Sequence, residues 1–318
     1  MILYDTIIQS LLNSFLCEIT NTFLQLIILI YLEELIMGSD VFRKRYAKYF
    51  EKLPDLDAYM SRIGLNGEKI PLTKTGLDKV LFAHLCNVPF ENIDLFDYKK
   101  NVDFGIVELF DKVVTRRRGG YCFELNAIFM ALLAELGFTV HPVGARIMMG
   151  GDESFLPAIA HRMTIVTIDG KRYVADVGFG MTNAPAASIC IDDYDKQDIS
   201  GETYTVEDRP YNNKMVIKHT ADGPFNMFMF VPDPIPVIDF VHINFGMSAT
   251  GFRMKRMSNL RRPGGAISVD GDIFRVIKNG EHTETPIPSA EDATKILTEK
   301  FGMILDQPLG DIAVNPEM

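Results

Sequence analysis

The sequence predicts an α+β fold, on three observations. Apolar residues recur at helical spacing up to residue 137, alternation takes over from residue 138, and the two patterns mix after residue 236. Helices therefore precede strands, unlike the alternating βα order of a doubly wound parallel sheet. With 318 residues, 47% of them hydrophobic, the chain can bury a sizeable core shared among about two or three sub-domains. The expected divisions are an apolar N-terminal extension (1–40), a helical domain (41–137), a strand-rich domain (138–236) and a mixed segment (237–318).

In the extension, the longest uncharged run, Ile19 to Leu32, falls short of the ~20 residues of a membrane helix. No basic residue precedes Arg43, so the basic start of a signal peptide is missing. The choices are a weak membrane anchor, an added amphipathic helix, or a start assigned upstream of the working one. The soluble-looking run "MGSDVFRKRYAKYF" from Met37 favours the third.

Short helices are expected across 41–66, with Pro54 and Gly64 as breakers. From Thr73, Leu77, Val80, Leu81 and Leu85 keep helical spacing until Pro89 ends the element. A third helix opens at Cys122, with Leu125, Ile128, Leu132 and Leu136 on one stripe and Gly137 at its C-terminal cap. "FTVHPVGARI" and "HRMTIVTIDGKRYVADVGF" then alternate as strands, and Asp169-Gly170 is a two-residue hairpin signal. Strand-like pieces continue to Val231, with a turn in "TADGPF", and "VPDPIP" forms a hinge. Beyond it the pattern predicts a helix near 238–248 and hairpins at Gly264-Gly265, Asp270-Gly271 and Asn279-Gly280. A last helix is capped by Ser289 and ended by Gly302.

The net charge of −10 and pI of about 5.1, spread along the chain, argue against a nucleic-acid partner. Cys17, Cys86, Cys122 and Cys190 lie far apart, with no CxxC and no tight Cys/His spacing, so neither a zinc site nor a disulfide framework is expected. That usage suits a reducing, cytoplasmic compartment.

One stretch raises a chemical question: "TRRRGGYCFELNAIFMALLAELGF", residues 115–138. Cys122 falls in the first turn of a helix, where free backbone N–H groups favour a thiolate. Arg116, Arg117 and Arg118 add to that field if they point inward. A nucleophile also needs a base and an orienting group. If Asp169-Gly170 is a two-residue turn, Met163 lies opposite Asp176, and His161 shares a face with Asp176 as its diagonal neighbour. Taken singly, a cysteine ahead of an apolar helix is most often core, and a strand histidine a satisfied polar residue. Together, Cys122, His161 and Asp176 form a candidate triad. Gly178 and Gly180 in "DVGFGM" suit a close backbone approach by a ligand or a simple bulge. The basic run "FRMKRMSNLRR", 252–262, reads as a phosphate site or a solvated cluster, with the second slightly preferred.

These segments resemble the arylamine N-acetyltransferase family. "RRRGGYCFELN" is similar to its active-site cysteine signature, "NVPFENID" to its N-terminal motif, and "AHRMTIV" and "YVADVGFG" to its histidine and aspartate segments. The likeness is strong over about 53–181, weaker to 318, and leaves 1–40 outside. It implies a cysteine-proteinase-like core with an N-terminal helical bundle, a central β-barrel and a C-terminal α/β lid. It further implies acetyl transfer from acetyl-CoA through Cys122 to an arylamine, arylhydrazine or N-hydroxyarylamine, with ping-pong kinetics and no metal. His161 and Asp176 are the implied triad partners, Phe90 and Phe179 border the acceptor pocket, and Gly178 and Gly180 lie near the pantetheine arm. "NFGMSATGFRMKRMSNLRR" follows the family pattern only loosely, which puts the lid's CoA contacts in question. A transglutaminase-like or papain-like hydrolase shares the Cys…His…Asp order. An amide synthase on the same scaffold and a binding protein without turnover are the other rivals.

Overall fold

The computed structural model describes residues 44–182, 184–249 and 251–310. The expectations for residues 1–40 and for Cys17 lie outside the described residues. Helix starts follow the caps. In α1 (Leu56–Arg62), Asp55 accepts the Ala58 N–H at 2.9 Å, and Gly64, at φ +80°, turns the chain away. In α2 (Lys74–Asn87), Thr73 accepts from Gly76 N at 3.3 Å, and Leu77, Val80, Leu81 and His84 face inward. Burial and the charge of Arg62 pull the His84 imidazole down to about 3, so its neutral ring packs against Phe129 and bonds Tyr59 at 3.1 Å.

The two-residue strand β1 (Phe90–Glu91) and short helices α3 (Ile93–Phe96) and α4 (Ile106–Phe110) follow. A π-helical turn, Asp111–Thr115, leads to α5 (Cys122–Glu135). The single apolar stripe expected for α5 is too narrow a description. Phe123, Ala127, Phe129 and Leu133 are buried as well, because helices cover one side and strands the other.

An eight-stranded antiparallel sheet comprises β2 (Thr139–Ile147), β3 (His161–Ile168), β4 (Lys171–Ala175), β5 (Ile189–Cys190), β6 (Gln197–Ile199), β7 (Glu202–Arg209), β8 (Asn213–Thr220) and β9 (Gly223–Phe230). Its order is β5-β4-β3-β2-β9-β8-β7-β6. The two edges nearly meet. The Gln197 amide accepts from Cys190 N and donates to Cys190 O, both at 2.8 Å, imitating a backbone ladder pair across the gap. Inside this barrel-like sheet Val143, Met163, Ile165, Val206, Met227 and Phe228 make one core.

After α6 (Asp239–Ser248), a second antiparallel sheet joins β1 to β10 (Met257–Arg262), β11 (Gly265–Asp270), β12 (Ile273–Lys278) and β13 (Glu281–Pro286). Helix α7 (Ala290–Glu299), capped by Ser289, packs Ala293 and Leu297 onto it. Two hairpins are offset by one residue from expectation. Arg262 pairs with Gly265, so Pro263-Gly264 is the turn; Asp270 pairs with Ile273, so Gly271-Asp272 is the other. In each case the glycine at positive φ belongs in the turn and its neighbour in the ladder. Asn279-Gly280 turns as expected. No helix among the described residues is long and apolar enough to cross a membrane.

Candidate active site

The run before Cys122 sets the geometry of the site. Tyr121 is extended at φ −98°, ψ −173°, and Cys122 is the first residue of α5, only 2% exposed. Glu124 reaches back to accept the Tyr121 N–H at 3.0 Å and also accepts from Lys112 Nζ at 2.8 Å. Gly119 and Gly120 let this run lie against β1. A side chain on Gly119 would sit 1.8 Å from the Pro89 carbonyl, and Glu91 N donates to Gly120 O at 2.9 Å.

The arginines do not supply the thiolate field considered for them. Arg118 is fully buried and donates to Glu91 Oε1 at 3.0 and 2.8 Å, to Asp94 at 3.2 Å and to Asp306 at 3.2 Å. Arg116 pairs with Asp111 and Asp306, and Arg117 is exposed. The charges of Arg116 and Arg118 are matched by carboxylates, so the work of these two is to fix the lead-in to α5.

The turn at Asp169-Gly170 has both residues at positive φ, and Ile168 pairs with Lys171 as the two-residue loop requires. The ladder ends at Thr164–Ala175, and Asp176 follows directly. His161 Nε2 donates to Asp176 Oδ2 at 2.6 Å, both residues being buried. The ring's second interaction is with the Cys122 thiol. Burial alone would pull this imidazole down; the Asp176 charge, its hydrogen bond and Cys122 outweigh that and push it up to about 10. A protonated ring between a carboxylate and a thiol is the arrangement of a thiolate–imidazolium pair.

A fourth residue, missed in the sequence, holds the third. Asn126 lies one turn after Cys122 on α5. Its Nδ2 donates to Asp176 Oδ1 at 2.8 Å and to Arg162 O at 2.6 Å, while its Oδ1 accepts Val177 N at 3.1 Å. Gly178 N adds a further donor to Asp176 Oδ1 at 2.8 Å. The i, i+4 spacing in "CFELN" was the available signal.

Gly178 and Gly180 meet protein atoms at close range. A side chain at Gly178 would lie 2.7 Å from Cys122 Cα and from Asn126 Nδ2; at Gly180, with φ +71°, it would strike the Phe90 ring at 2.8 Å. Both glycines line a cleft of about 540 Å³ that also takes in Cys122, His161, Phe90 and Phe179. Phe179 meets the His161 ring edge-on at 6.1 Å. Phe252, not foreseen, adds a third aromatic wall 6.3 Å from Phe90. Of the basic run, Arg253 donates to backbone carbonyls, Arg256 pairs with Asp97, Arg261 and Arg262 bond the carbonyls of Ala184 and Lys300, and Lys255 meets Asp270. The cluster is tied to the protein itself. No group of three or more His, Cys, Asp or Glu among the described residues is placed to hold a metal ion.

A family model described as N-acetyltransferase matches residues 75–309, well over half of the chain, and the chain belongs to that family. The relatives it matches are named arylamine N-acetyltransferase. One from Escherichia coli is 27% identical over 259 residues, 80% of this chain and 90% of its own length. One from Mycolicibacterium smegmatis is 42% identical, over 40% of this chain and 46% of that protein, so the chain spans about half of this second relative. Among solved structures, the Salmonella typhimurium arylamine N-acetyltransferase matches with a TM-score of 0.74 over 81% of this chain and 94% of its own, at 24% identity. The Mycobacterium marinum enzyme in complex with CoA matches at 0.71 and 26% identity, over 78% of this chain and 93% of its own.

Proposed function

We propose that the protein is an arylamine N-acetyltransferase that carries an acetyl group from acetyl-CoA on Cys122 to an arylamine, arylhydrazine or N-hydroxyarylamine. The observation that carries this reading is the buried Cys122–His161–Asp176 array at a cleft walled by Phe90, Phe179 and Phe252. The thiolate attacks the thioester carbon, a nearly balanced exchange of one sulfur leaving group for another. CoA departs with the proton of His161, and the neutral ring then takes a proton from the attacking amine. Asp176 fixes the ring so that Nε2 carries hydrogen toward the carboxylate and Nδ1 faces the sulfur. The aromatic walls suit a flat, weakly basic amine. A relative solved with CoA supports the donor.

In the same reading, the helices to residue 137 and the barrel to 236 form a cysteine-proteinase-like core in a cytoplasmic enzyme, and the segment from 237 acts as a lid. Mass spectrometry of the intact chain tests the chemistry. Acetyl-CoA alone should add one acetyl group at Cys122, and an arylamine should then remove it as the acetylated amine. Amine acetylation without a labelled Cys122 would refute the covalent route.

A further inference from the structure

Arg62, the last residue of α1, is only 6% exposed and pairs with no carboxylate among the described residues. Its Nε donates to the Val113 carbonyl in the π-helical turn at 3.0 Å, and Nη1 donates to the Asn87 carbonyl. Nη2 is buried and has no partner. The buried neighbours Tyr59 and His84 bond each other, and burial holds both neutral. Burial and the like charge of Arg117 pull the Arg62 guanidinium down to about 10, so it stays charged at neutral pH. Other buried cations are built differently: Arg118 meets three carboxylates, Arg256 meets Asp97, and Lys112 meets Asp94 and Glu124. A buried charge given only neutral partners calls for an anion.

The second arginine comes from the end of the same turn. Arg116 N donates to Asp111 O at 2.8 Å and Arg118 N to Lys112 O at 3.0 Å, which fixes the chain on both sides of Arg117. Between them Arg117 takes φ +52°, a conformation seldom adopted by a long side chain. Arg116 and Arg118 turn to carboxylates, whereas Arg117 is exposed and its guanidinium bonds no described residue. Arg62 and Arg117 line one open hollow of about 320 Å³ together with Ser61 and Thr115. The rest of its wall is apolar, and no lining residue is an acid. Nearby acids are committed or turned elsewhere: Asp55 accepts the Ala58 N–H, Asp111 pairs with Arg116, and exposed Asp57 and Glu108 do not line the hollow. The hollow shares no residue with the cleft at Cys122.

We propose that this hollow is a binding site for a phosphate group, carried by inorganic phosphate or by a small phosphomonoester. The donors decide the class of anion. Arg62 Nη2, the fork of Arg117 and two hydroxyls exceed what the two oxygens of a carboxylate can accept, and suit a tetrahedral dianion. Ser61, Thr115 and Arg117 are exposed, so the mouth leaves an ester oxygen a way out to solvent. The bound anion relieves the repulsion between the two guanidiniums and joins α1 to the run that enters α5. Its binding free energy therefore adds to the stability of the folded chain. The site needs neither the thiol nor an acyl donor.

The test is a phosphate titration of the full chain, with sodium chloride holding ionic strength constant, read by melting temperature and by the ³¹P linewidth of the ligand. Inorganic phosphate should raise the melting temperature saturably, by about 2–4 °C, and its resonance should broaden. Arg117→Asn removes the charge with a residue that tolerates positive φ. It should melt with the parent in chloride and bind phosphate at least about tenfold more weakly, the scale of one lost hydrogen bond to a charged group. Arg117→Gly stands in if that variant does not fold. Lys278→Ala makes the same change of net charge on β12 and should respond as the parent does. Glycerol 3-phosphate separates the sources: a response to it as well supports a site open to esters, and a response to inorganic phosphate alone supports a free-ion site. No saturable response to either probe would overturn the proposal. So would an undiminished response in Arg117→Asn, which would place the anion elsewhere.

Discussion

Asp176→Asn is the sharpest perturbation of the site, because its neighbours dictate how the new side chain must sit. Oδ1 of Asp176 accepts from two donors, Asn126 Nδ2 and Gly178 N, each at 2.8 Å. The carboxamide must keep its oxygen there, which turns its NH₂ group toward His161 Nε2. That nitrogen now has to accept, so the ring's hydrogen moves to Nδ1, the side that faces Cys122. A ring already protonated at Nδ1 cannot take the thiol proton, and the thiolate loses its partner. The equivalent change in a serine triad costs ~10⁴ in rate, about 5.4 kcal/mol of barrier, and the same logic sets the expectation here. Single-turnover acetylation of Cys122, followed by intact mass, is the assay.

Stability supplies an independent reading of the same pair. His161 is raised from an ordinary 6.5 to about 10 in the folded chain, despite burial, by Asp176 and Cys122. Its contribution is therefore complete below pH 6.5 and is lost as pH rises through about 10. The gap in melting temperature between parent and Asp176→Asn should be wide near pH 6 and narrow near pH 10. Acetylation within tenfold of the parent, together with a gap that ignores pH, would refute the tautomer argument.

Asn126→Ala removes three hydrogen bonds and leaves Val177 N and Arg162 O unpaired in the core; denaturant melts should show a loss of about 2–4 kcal/mol, and acetylation should slow with it. Gly178→Ala forces a methyl to within 2.7 Å of Cys122 Cα, so acetylation should fall steeply, with a stability cost of about 1–3 kcal/mol measured in the same melts. Limited iodoacetamide treatment with peptide mapping should label Cys122 before Cys86, whose half-buried thiol is pushed up by desolvation; prior labelling of Cys86 would count against the assigned nucleophile. Arg118→Met takes both arginine hydrogen bonds from Glu91 Oε1, leaving that buried carboxylate only the Ile93 N–H at 2.7 Å and Lys112 at 3.8 Å, and a loss of about 3 kcal/mol in urea unfolding is expected.

Local rules carried far in this chain. Asp55, Thr73 and Ser289 cap helices because each has a short side-chain oxygen one residue ahead of an apolar-periodic run. The Asp169-Gly170 turn fixes the parity of β3 and β4, and parity alone put His161 and Asp176 on one face. What escaped is whatever depends on packing between distant segments. Nothing near Arg118 in the chain announces that Glu91 and Asp306 will meet it, and Arg162 is remote in sequence from Phe104 and Phe240. The one-residue offsets at Gly264 and Gly271 arise differently. A glycine beside another turn-forming residue marks the turn without stating which of the two lies inside it.

The arginine–glycine lead-in has a use that charge alone does not explain. A helix can present its first residue to a partner only if the chain enters it at a fixed angle, and here the entering run is clamped along β1. Glycines 119 and 120 permit the contact, Arg118 holds Glu91 and Asp94, and Glu124 secures the Tyr121 N–H beside the sulfur. The same β1 pairs with β10 and carries Phe90 into the cleft. The proposed nucleophile Cys122 and the cleft wall are thus referenced to one short strand, and a side chain at Gly119 should displace both together. Gly119→Ala tests that coupling, since its methyl would meet the Pro89 carbonyl backbone, which cannot rotate away. Acetylation of Cys122 and affinity for a flat amine should fall in parallel. Loss of acetylation with amine binding intact would mean that the lead-in positions the sulfur alone.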